Sequence, residues 1–294
     1  MNAWVGYEPF FIAESDGFFN QNSIDLIETP YSLTQDQAFR GRTVDASAVS
    51  LSRAMSLASK GHDITIVLIL DWSNGADKIV AAPNIKSVID LKGKRVGTEP
   101  ESVNAYLLFR AMQQVGLSLS DLEMMPMAYE QLSAAFSTKE IDAATVFGPQ
   151  AEAIEQLGGH VIFDSSEIPG EILDVLVVRT SYLQKNPERV EELISGWLKA
   201  VASLEENIEG PRRKDGLLSS RTFAELSSTL RITGETDNHS FMEAGAARLM
   251  AVLSTRHSQL AAIRAIREAK RTPFPDTIPA IDPLPFFRAM KEGE

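Results

Sequence analysis

The chain is expected to fold as two similar α/β lobes, each a mainly parallel sheet flanked by helices. Three features carry that expectation. A phrase is said twice: Gly41-Arg42-Thr43-Val44-Asp45-Ala46-Ser47-Ala48-Val49 is echoed by Thr138-Lys139-Glu140-Ile141-Asp142-Ala143-Ala144-Thr145-Val146, with the two Asp-Ala pairs 97 positions apart. Each copy follows a helix-like stretch and runs into a short apolar strand, so it marks a helix, turn and strand unit. Strand-like and helix-like segments alternate on either side of these copies, the pattern of βαβ units and parallel sheets. Finally, 294 residues suffice for two cores, since single cores stop growing at roughly 250 to 300 residues.

Taken in order, residues 22–29 read as a strand, with Ile24, Leu26 and Glu28 on one face in a period of two. Thr34-Gln35-Asp36-Gln37 has the capping-box spacing that opens a helix. Residues 44–49 form the next strand, Ser50 or Ser52 opens a helix through Ala54, Leu57 and Ala58, and Gly61 ends it. Residues 64–70 are a continuous β-branched run, as a strand buried on both faces requires. After the polar break Ser73-Asn74-Gly75, residues 78–82 and 95–98 are short strands. A helix over 102–115 is stopped by Gly116, and Ser120-Asp121-Leu122-Glu123 reads as a second capping box. Strands follow over 124–127, 143–147 and 160–164, and the apolar segment 173–179 leads out of this second unit.

Beyond Arg179 the pattern turns helical. Asn186-Pro187-Glu188-Arg189 sets an N-cap before proline at the first helical position, with Val190, Leu193, Ile194 and Trp197 on one stripe. Residues 258–270 form a further helix. Arg212-Arg213-Lys214 reads as a solvated loop, and the five prolines of 272–285 as an extended surface segment.

Composition narrows the function. Net charge is −12, which disfavours nucleic acid and anionic membrane surfaces, since both reward dense Lys and Arg. The chain has no cysteine, which removes disulfides, thiolate metal sites and cysteine nucleophiles. No apolar run is long enough to cross a bilayer. His62, His160, His239 and His257 show no metal-ligand spacing, and no P-loop, nucleophile elbow or dinucleotide fingerprint occurs. Residues 1–4 carry no basic segment or apolar core, so a secretory signal is either absent or already removed.

The segment Trp4-Val5-Gly6-Tyr7-Glu8-Pro9-Phe10-Phe11-Ile12-Ala13-Glu14-Ser15-Asp16-Gly17-Phe18-Phe19 resembles the opening of solute-binding proteins of the sulfonate, nitrate and thiamine-precursor group. These are type II periplasmic binding proteins, the SsuA/THI5-like or NMT1 family, which feed ABC transporters. The likeness continues through Val44-Asp45-Ala46, Ser73-Asn74-Gly75-Ala76-Asp77-Lys78-Ile79-Val80, Asp90-Leu91-Lys92-Gly93-Lys94-Arg95-Val96-Gly97, Ile141-Asp142-Ala143-Ala144 and Ile168-Pro169-Gly170. These phrases stand in the family's order over residues 2–180. One departure is that only Met1 to Ala3 precede the Trp-x-Gly-Tyr segment, where the family carries a full strand. The resemblance implies lobe 1 at 1–74 plus 178–294, lobe 2 at 75–177, hinges near 71–79 and 174–178 with Gly75 as a pivot, and closure around a ligand. It further implies an ABC permease partner, a monomer, a periplasmic or extracytoplasmic location, no cofactor and no catalysis.

Ligands in open α/β sheets bind beyond the carboxyl ends of strands, and that rule selects the candidate residues. They are Trp4, Tyr7 and Glu8 in the opening segment, Ser32 and Thr34 after the 22–29 strand, and Ser50 after the next. Trp72, Ser73, Asn74 and Asp77 lie at the crossover, followed by Glu99, Ser102 and Asn104, then Phe147 and Pro149. The aromatic faces of Trp4, Tyr7 and Trp72 suit a planar or cationic ligand, or else are core. Ser102 and Asn104 open a helix that can hold an anion, though Ser102 reads equally as an ordinary N-cap. Glu99 and Glu101 beside that helix end oppose an anion, as do Glu8 and Asp77. The expected ligand is therefore organic with an aromatic or cationic part, an amine or a pyrimidine, over sulfonate or nitrate.

Two alternatives share the fold. A ligand-sensing input module would use the same cleft to signal. A thiamine-pyrimidine-synthase-like enzyme resembles these transport proteins, but relies on a cysteine-rich motif that this chain lacks.

Overall fold

In both copies the repeated phrase is the end of a helix, turned by a left-handed residue. Arg42 and Lys139 each have φ 59°. Around them the hydrogen bonds match: Gly41 N–H donates to Gln37 and Thr43 N–H to Ala38, while Thr138 N–H donates to Ala134 and Glu140 N–H to Ala135. The later pair in each copy closes six residues, the Schellman way of satisfying the last carbonyls of a helix. The strands then begin at Ala46 and Ala143, directly after Asp45 and Asp142.

The computed structural model describes residues 1, 4–20, 23–29, 37–100, 102–206, 228–268 and 279–291. Contacts divide the chain into unit 1 (Met1–Trp72, Leu173–Ala251 and Pro275–Glu294) and unit 2 (Ser73–Ile172 and Val252–Phe274). The sequence reading put the boundaries at 74/75 and 177/178 and left 252–274 in lobe 1. Ser32, Thr34, Glu101 and Arg212-Arg213-Lys214 lie outside the described residues.

Unit 1 begins with α1 (Glu8–Ser15), β1 (Ala46–Ser50), α2 (Leu51–Ser59) and β2 (Ile64–Ser73). Ser50 caps α2 by accepting from Arg53 N–H at 3.3 Å, and Gly61 after its end has φ +83°. The expected strand over 22–29 is not regular. Among the described residues Met1 accepts from Thr29 N–H and its amino group donates to the Ile27 carbonyl, while Ser23 N–H turns back to the Asn20 carbonyl.

Unit 2 contains β3 (Lys78–Ala81), β4 (Arg95–Thr98), α3 (Val103–Gln114), β5 (Glu123–Pro126), α4 (Leu132–Ser137), β6 (Ala143–Val146), α5 (Gly148–Gln156) and β7 (His160–Asp164). Its sheet has the order β5-β4-β6-β3-β7. Neighbouring strand residues alternate between two cores. Ile79 and Ala143 join the cluster beneath α3, with Tyr106, Leu107 and Met112. Val80 and Ala144 join the one beneath α4 and α5, with Phe136 and Ile154. That double cover explains why the strands are apolar throughout. The capping box expected at Ser120 to Glu123 stands instead at Ser118 to Asp121: Asp121 accepts from Ser118 N–H at 2.9 Å, and Glu123 already opens β5.

The chain returns to unit 1 with β8 (Leu173–Arg179), α6 (Thr180–Lys185), α7 (Pro187–Glu206) and β9 (Leu230–Ile232). Then come α8 (Glu235–Glu268), β10 (Ala280–Ile281) and α9 (Leu284–Lys291). The expected 258–270 helix is thus the far end of a 34-residue helix. Within the proline-rich stretch, Ala280–Ile281 pairs parallel to β2, and Pro285 sits in the first turn of α9, where its missing N–H costs nothing.

Each sheet contains a reversed strand. β8 lies antiparallel between β1 and β2, and β3 lies antiparallel between β6 and β7. Each reversed strand is the first in its unit after the chain crosses over, which accounts for the departure from a purely parallel pattern.

A buried amide stitches α8 to β2. Asn238, fully buried, accepts from Ile69 N–H at 2.8 Å and donates to the Ile69 carbonyl at 2.9 Å, to Thr233 Oγ1 at 3.1 Å and to the Gly234 carbonyl at 3.1 Å. It replaces a strand neighbour where the β2–β8 ladder shifts register between Ile69 and Asp71. Trp197 of α7 closes the same core, packing on Phe10 at 4.6 Å and donating to the Thr233 carbonyl. Replacing Asn238 by Leu takes away the acceptor of the Ile69 N–H and leaves the Ile69 carbonyl to the Thr233 hydroxyl. It should destabilise the protein by roughly 2–4 kcal/mol, read as a lower urea midpoint at unchanged slope.

Candidate functional site

The opening segment is a helix start, not a loop. Val5–Tyr7 is a 3-10 turn, and Glu8 and Pro9 occupy the first turn of α1, where an acid and a proline are both favourable. Tyr7 is thereby turned inward, with a 1% exposed side chain. Its hydroxyl donates to Asp174 Oδ2 at 2.5 Å. Trp4, half-buried, donates its indole N–H to Asp71 Oδ2 at 3.1 Å.

These two carboxylates meet because of strand register. Asp174 of β8 lies opposite Asp71 of β2 on one side and Ser50 of β1 on the other. Burial first, then the Asp174 and Asp71 carboxylates, push Tyr7 well above the ordinary phenol range, so it stays a hydrogen-bond donor. Gly6 is needed here: a Cβ on it would lie 2.1 Å from Asp71 Oδ2. Glu8 is buried in the same turn. Two adjoining carboxylates are suited to a cationic group.

The structure corrects several expectations in this unit. Tyr7 is too deeply buried to offer a stacking face. Ser50 spends its hydroxyl on capping α2. Trp72 packs 5.8 Å from Phe241, with the Arg248 guanidinium 6.0 Å from its ring, so α8 covers part of it. Asp71 and Asp174 start the two expected hinge segments and are not among the individual candidate residues. Each carboxylate interrupts an apolar run, and that was the available signal.

In unit 2, Ser73 and Asp77 brace the backbone that follows the crossover. Ser73 Oγ accepts from Asp77 N–H at 3.2 Å and bonds Ser165 Oγ at 2.7 Å, while Gly75, at φ +106°, donates its N–H to Ser165 Oγ at 2.7 Å. Asn74 between them is partly exposed. Burial raises the Asp77 carboxyl to about 6, against the opposing pull of the Ser73 hydrogen bond and of Arg256.

At the end of β4, Thr98 and Thr145 share a fully buried hydroxyl pair at 2.7 Å. Ser102 caps α3, accepting from Ala105 N–H at 3.2 Å and donating to the Glu99 carbonyl at 2.6 Å, which is the ordinary capping role. The Glu99 side chain is exposed. Asn104 is buried at 1% exposure, and neither end of its amide has a hydrogen-bond partner among the described residues. Phe147 N-caps α5 and stacks at 4.6 Å on Tyr129, whose hydroxyl donates to the Phe147 carbonyl at 2.6 Å. Pro149 is exposed in the first turn of α5. Tyr129 was not anticipated, and neither was Arg256 of α8, whose buried guanidinium lies 4.1 Å over the Tyr106 ring. Nothing in a helical Arg pattern signals such burial.

Among the described residues no cluster of His, Cys, Asp or Glu is arranged to hold a metal, and no helix is long and apolar enough to cross a membrane.

Two α/β units, each with one reversed strand after a crossover, define the type II periplasmic-binding-protein fold. The chain belongs to the NMT1-like family, whose model matches residues 1–213. Among solved structures it is similar to the periplasmic aliphatic sulphonate binding protein SsuA from Escherichia coli, with TM-score 0.62 and 18% identity over 90% of this chain and 91% of that one, a likeness of fold. In sequence it is similar to the taurine-binding periplasmic protein of Escherichia coli, 26% identical over 210 residues that make up 68% of this chain. The chain spans 65% of that relative's length. A binding protein of Brucella abortus is 31% identical over 191 residues, 63% of this chain and 59% of that protein.

The buried Asp77 predicts a pH response. Its folded value near 6 exceeds the unperturbed 3.8, so the folded state binds the proton more tightly. Stability should fall as pH rises from about 4 through 6 and then level, a loss of up to about 3 kcal/mol. Asp77→Asn should flatten that slope, gaining on the unsubstituted protein across the same window in urea titrations. Parallel curves for the two proteins would refute the assignment.

Proposed function

We propose that the chain is the solute-binding component of an ABC importer, outside the cytoplasm, carrying a small organic ligand with a cationic or amino-heterocyclic part and performing no chemistry on it. Membership of the NMT1-like family and the named binding function of its relatives support the transport role. The division into two units supports the expectation from resemblance that binding closes a hinge near 71–79 and 174–178. The observation that carries the ligand class is the apposition of Asp71 and Asp174, each bonded to a neutral aromatic donor, Trp4 or Tyr7. Two carboxylates held side by side favour a cationic complement, and an ammonium group is the natural one. Taurine, the ligand in the name of one relative, is an amine as well as a sulfonate, so the acidic pair and that relative's ligand are compatible.

Isethionate replaces the ammonium of taurine by a hydroxyl and keeps the sulfonate. Isothermal titration should find taurine bound at least about tenfold more tightly than isethionate, the worth of one charge-assisted hydrogen bond. Asp174→Asn should erase the difference. Equal affinity for the two compounds in the unsubstituted protein would sink the amine reading.

A further inference from the structure

Among the described residues two asparagines, Asn104 and Asn238, are fully buried, and they are treated in opposite ways. Asn238 uses both ends of its amide on backbone and hydroxyl partners. Asn104 is equally buried, yet its Oδ1 and Nδ2 both lack a partner among the described residues. Because both ends are unpaired, the imbalance persists if oxygen and nitrogen are exchanged by flipping the amide. Leaving a buried donor and acceptor unmade is costly enough that native proteins seldom do it without a functional reason.

The position of Asn104 gives that reason a direction. It is the second residue of the twelve-residue α3, and side chains on a helix lean back toward its N-terminus. Its amide therefore leans toward the end of α3 that follows β4. There the cap engages Ala105 N–H through the Ser102 hydroxyl and Tyr106 N–H through the Ser102 carbonyl. The N–H groups of the first two helical residues point outward, as at every helix start.

We propose that Asn104 recognises an amide-type edge on the transported solute, a hydrogen-bond donor beside an acceptor in one plane. Carboxamides, ureas, lactams and aminopyrimidines carry such an edge. The pairing is the two-bond match by which an asparagine reads the N6/N7 edge of adenine. A sulfonate or nitrate has only acceptors. It can serve Nδ2 and the helix N–H groups, but leaves Oδ1 buried and unpaired, whereas a carboxamide serves both ends. This assignment rests on the reading of the chain as a binding protein for a small organic solute, and specifies which group of that solute Asn104 selects.

β-Alaninamide tests it against taurine, since it keeps the ammonium group and exchanges the sulfonate for a carboxamide. In isothermal titration the unsubstituted protein should bind β-alaninamide roughly tenfold to a hundredfold more tightly than taurine, and Asn104→Leu should abolish that preference. Asn104→Leu should also unfold at the same temperature as the unsubstituted protein or a few degrees higher, because it removes an unpaired polar group. A drop of more than about 5 °C would mark Asn104 as structural and overturn the assignment. Taurine bound as tightly as β-alaninamide, or a preference that survives Asn104→Leu, overturns it too. In those cases a retained preference for taurine over isethionate leaves the transport reading standing. Binding of neither amine removes both.

Discussion

Unit 1 depends on the antiparallel seating of β8 between β1 and β2. That register puts Asp174 opposite both Ser50 and Asp71, and the rest of the acidic site is built to live with two neighbouring carboxylates. Tyr7 is buried so that its phenol can reach one, Trp4 turns its indole N–H to the other, and position 6 must be glycine for the backbone to approach so closely. A slip of one residue in β8 would turn these side chains to opposite faces and dissolve the arrangement.

Unit 2 rests on a different economy. Its strands alternate residues between two apolar layers, so polar groups near the sheet are few and nearly all are spoken for. Thr98 pairs with Thr145, Ser73 with Ser165, and Asp142 grips Arg95 through both carboxylate oxygens at 3.0 and 2.8 Å. That grip holds the Asp142 carboxyl below the usual carboxylate range and ties β6 to β4. The second aspartate of the repeat is thus a brace within the scaffold, and Asp45 contributes its carbonyl to Arg179 N–H.

Much of this fold was legible because its signals are local. The strands over 95–98 and 160–164, the Ser102 and Ser50 caps and the helix opened by Asn186-Pro187 all follow from side chains acting within a few residues of themselves. What escaped was set by distant partners. Residues 22–29 have the alternation of a strand, yet the described ones are not assigned to a regular strand, and Met1 bonds to two of them. β10 is two residues long and exists because β2 offers an edge. The candidate site divided in the same way. Asn104 and Trp4 were reached through the strand-end rule, while Asp71 with Asp174, and Arg256 over Tyr106, needed the tertiary pairing to be seen.

The insertion of β8 also orders events during synthesis. Its two neighbours, β1 and β2, emerge more than 100 residues before it, and loop-closure entropy disfavours such distant pairings until the intervening chain has compacted. The sheet of unit 2 is complete within Lys78–Asp164 and is made of contacts much closer in sequence. The unit 2 sheet is therefore expected to form before β8 pairs with β1 and β2, which is the step that brings the most distant parts of unit 1 together.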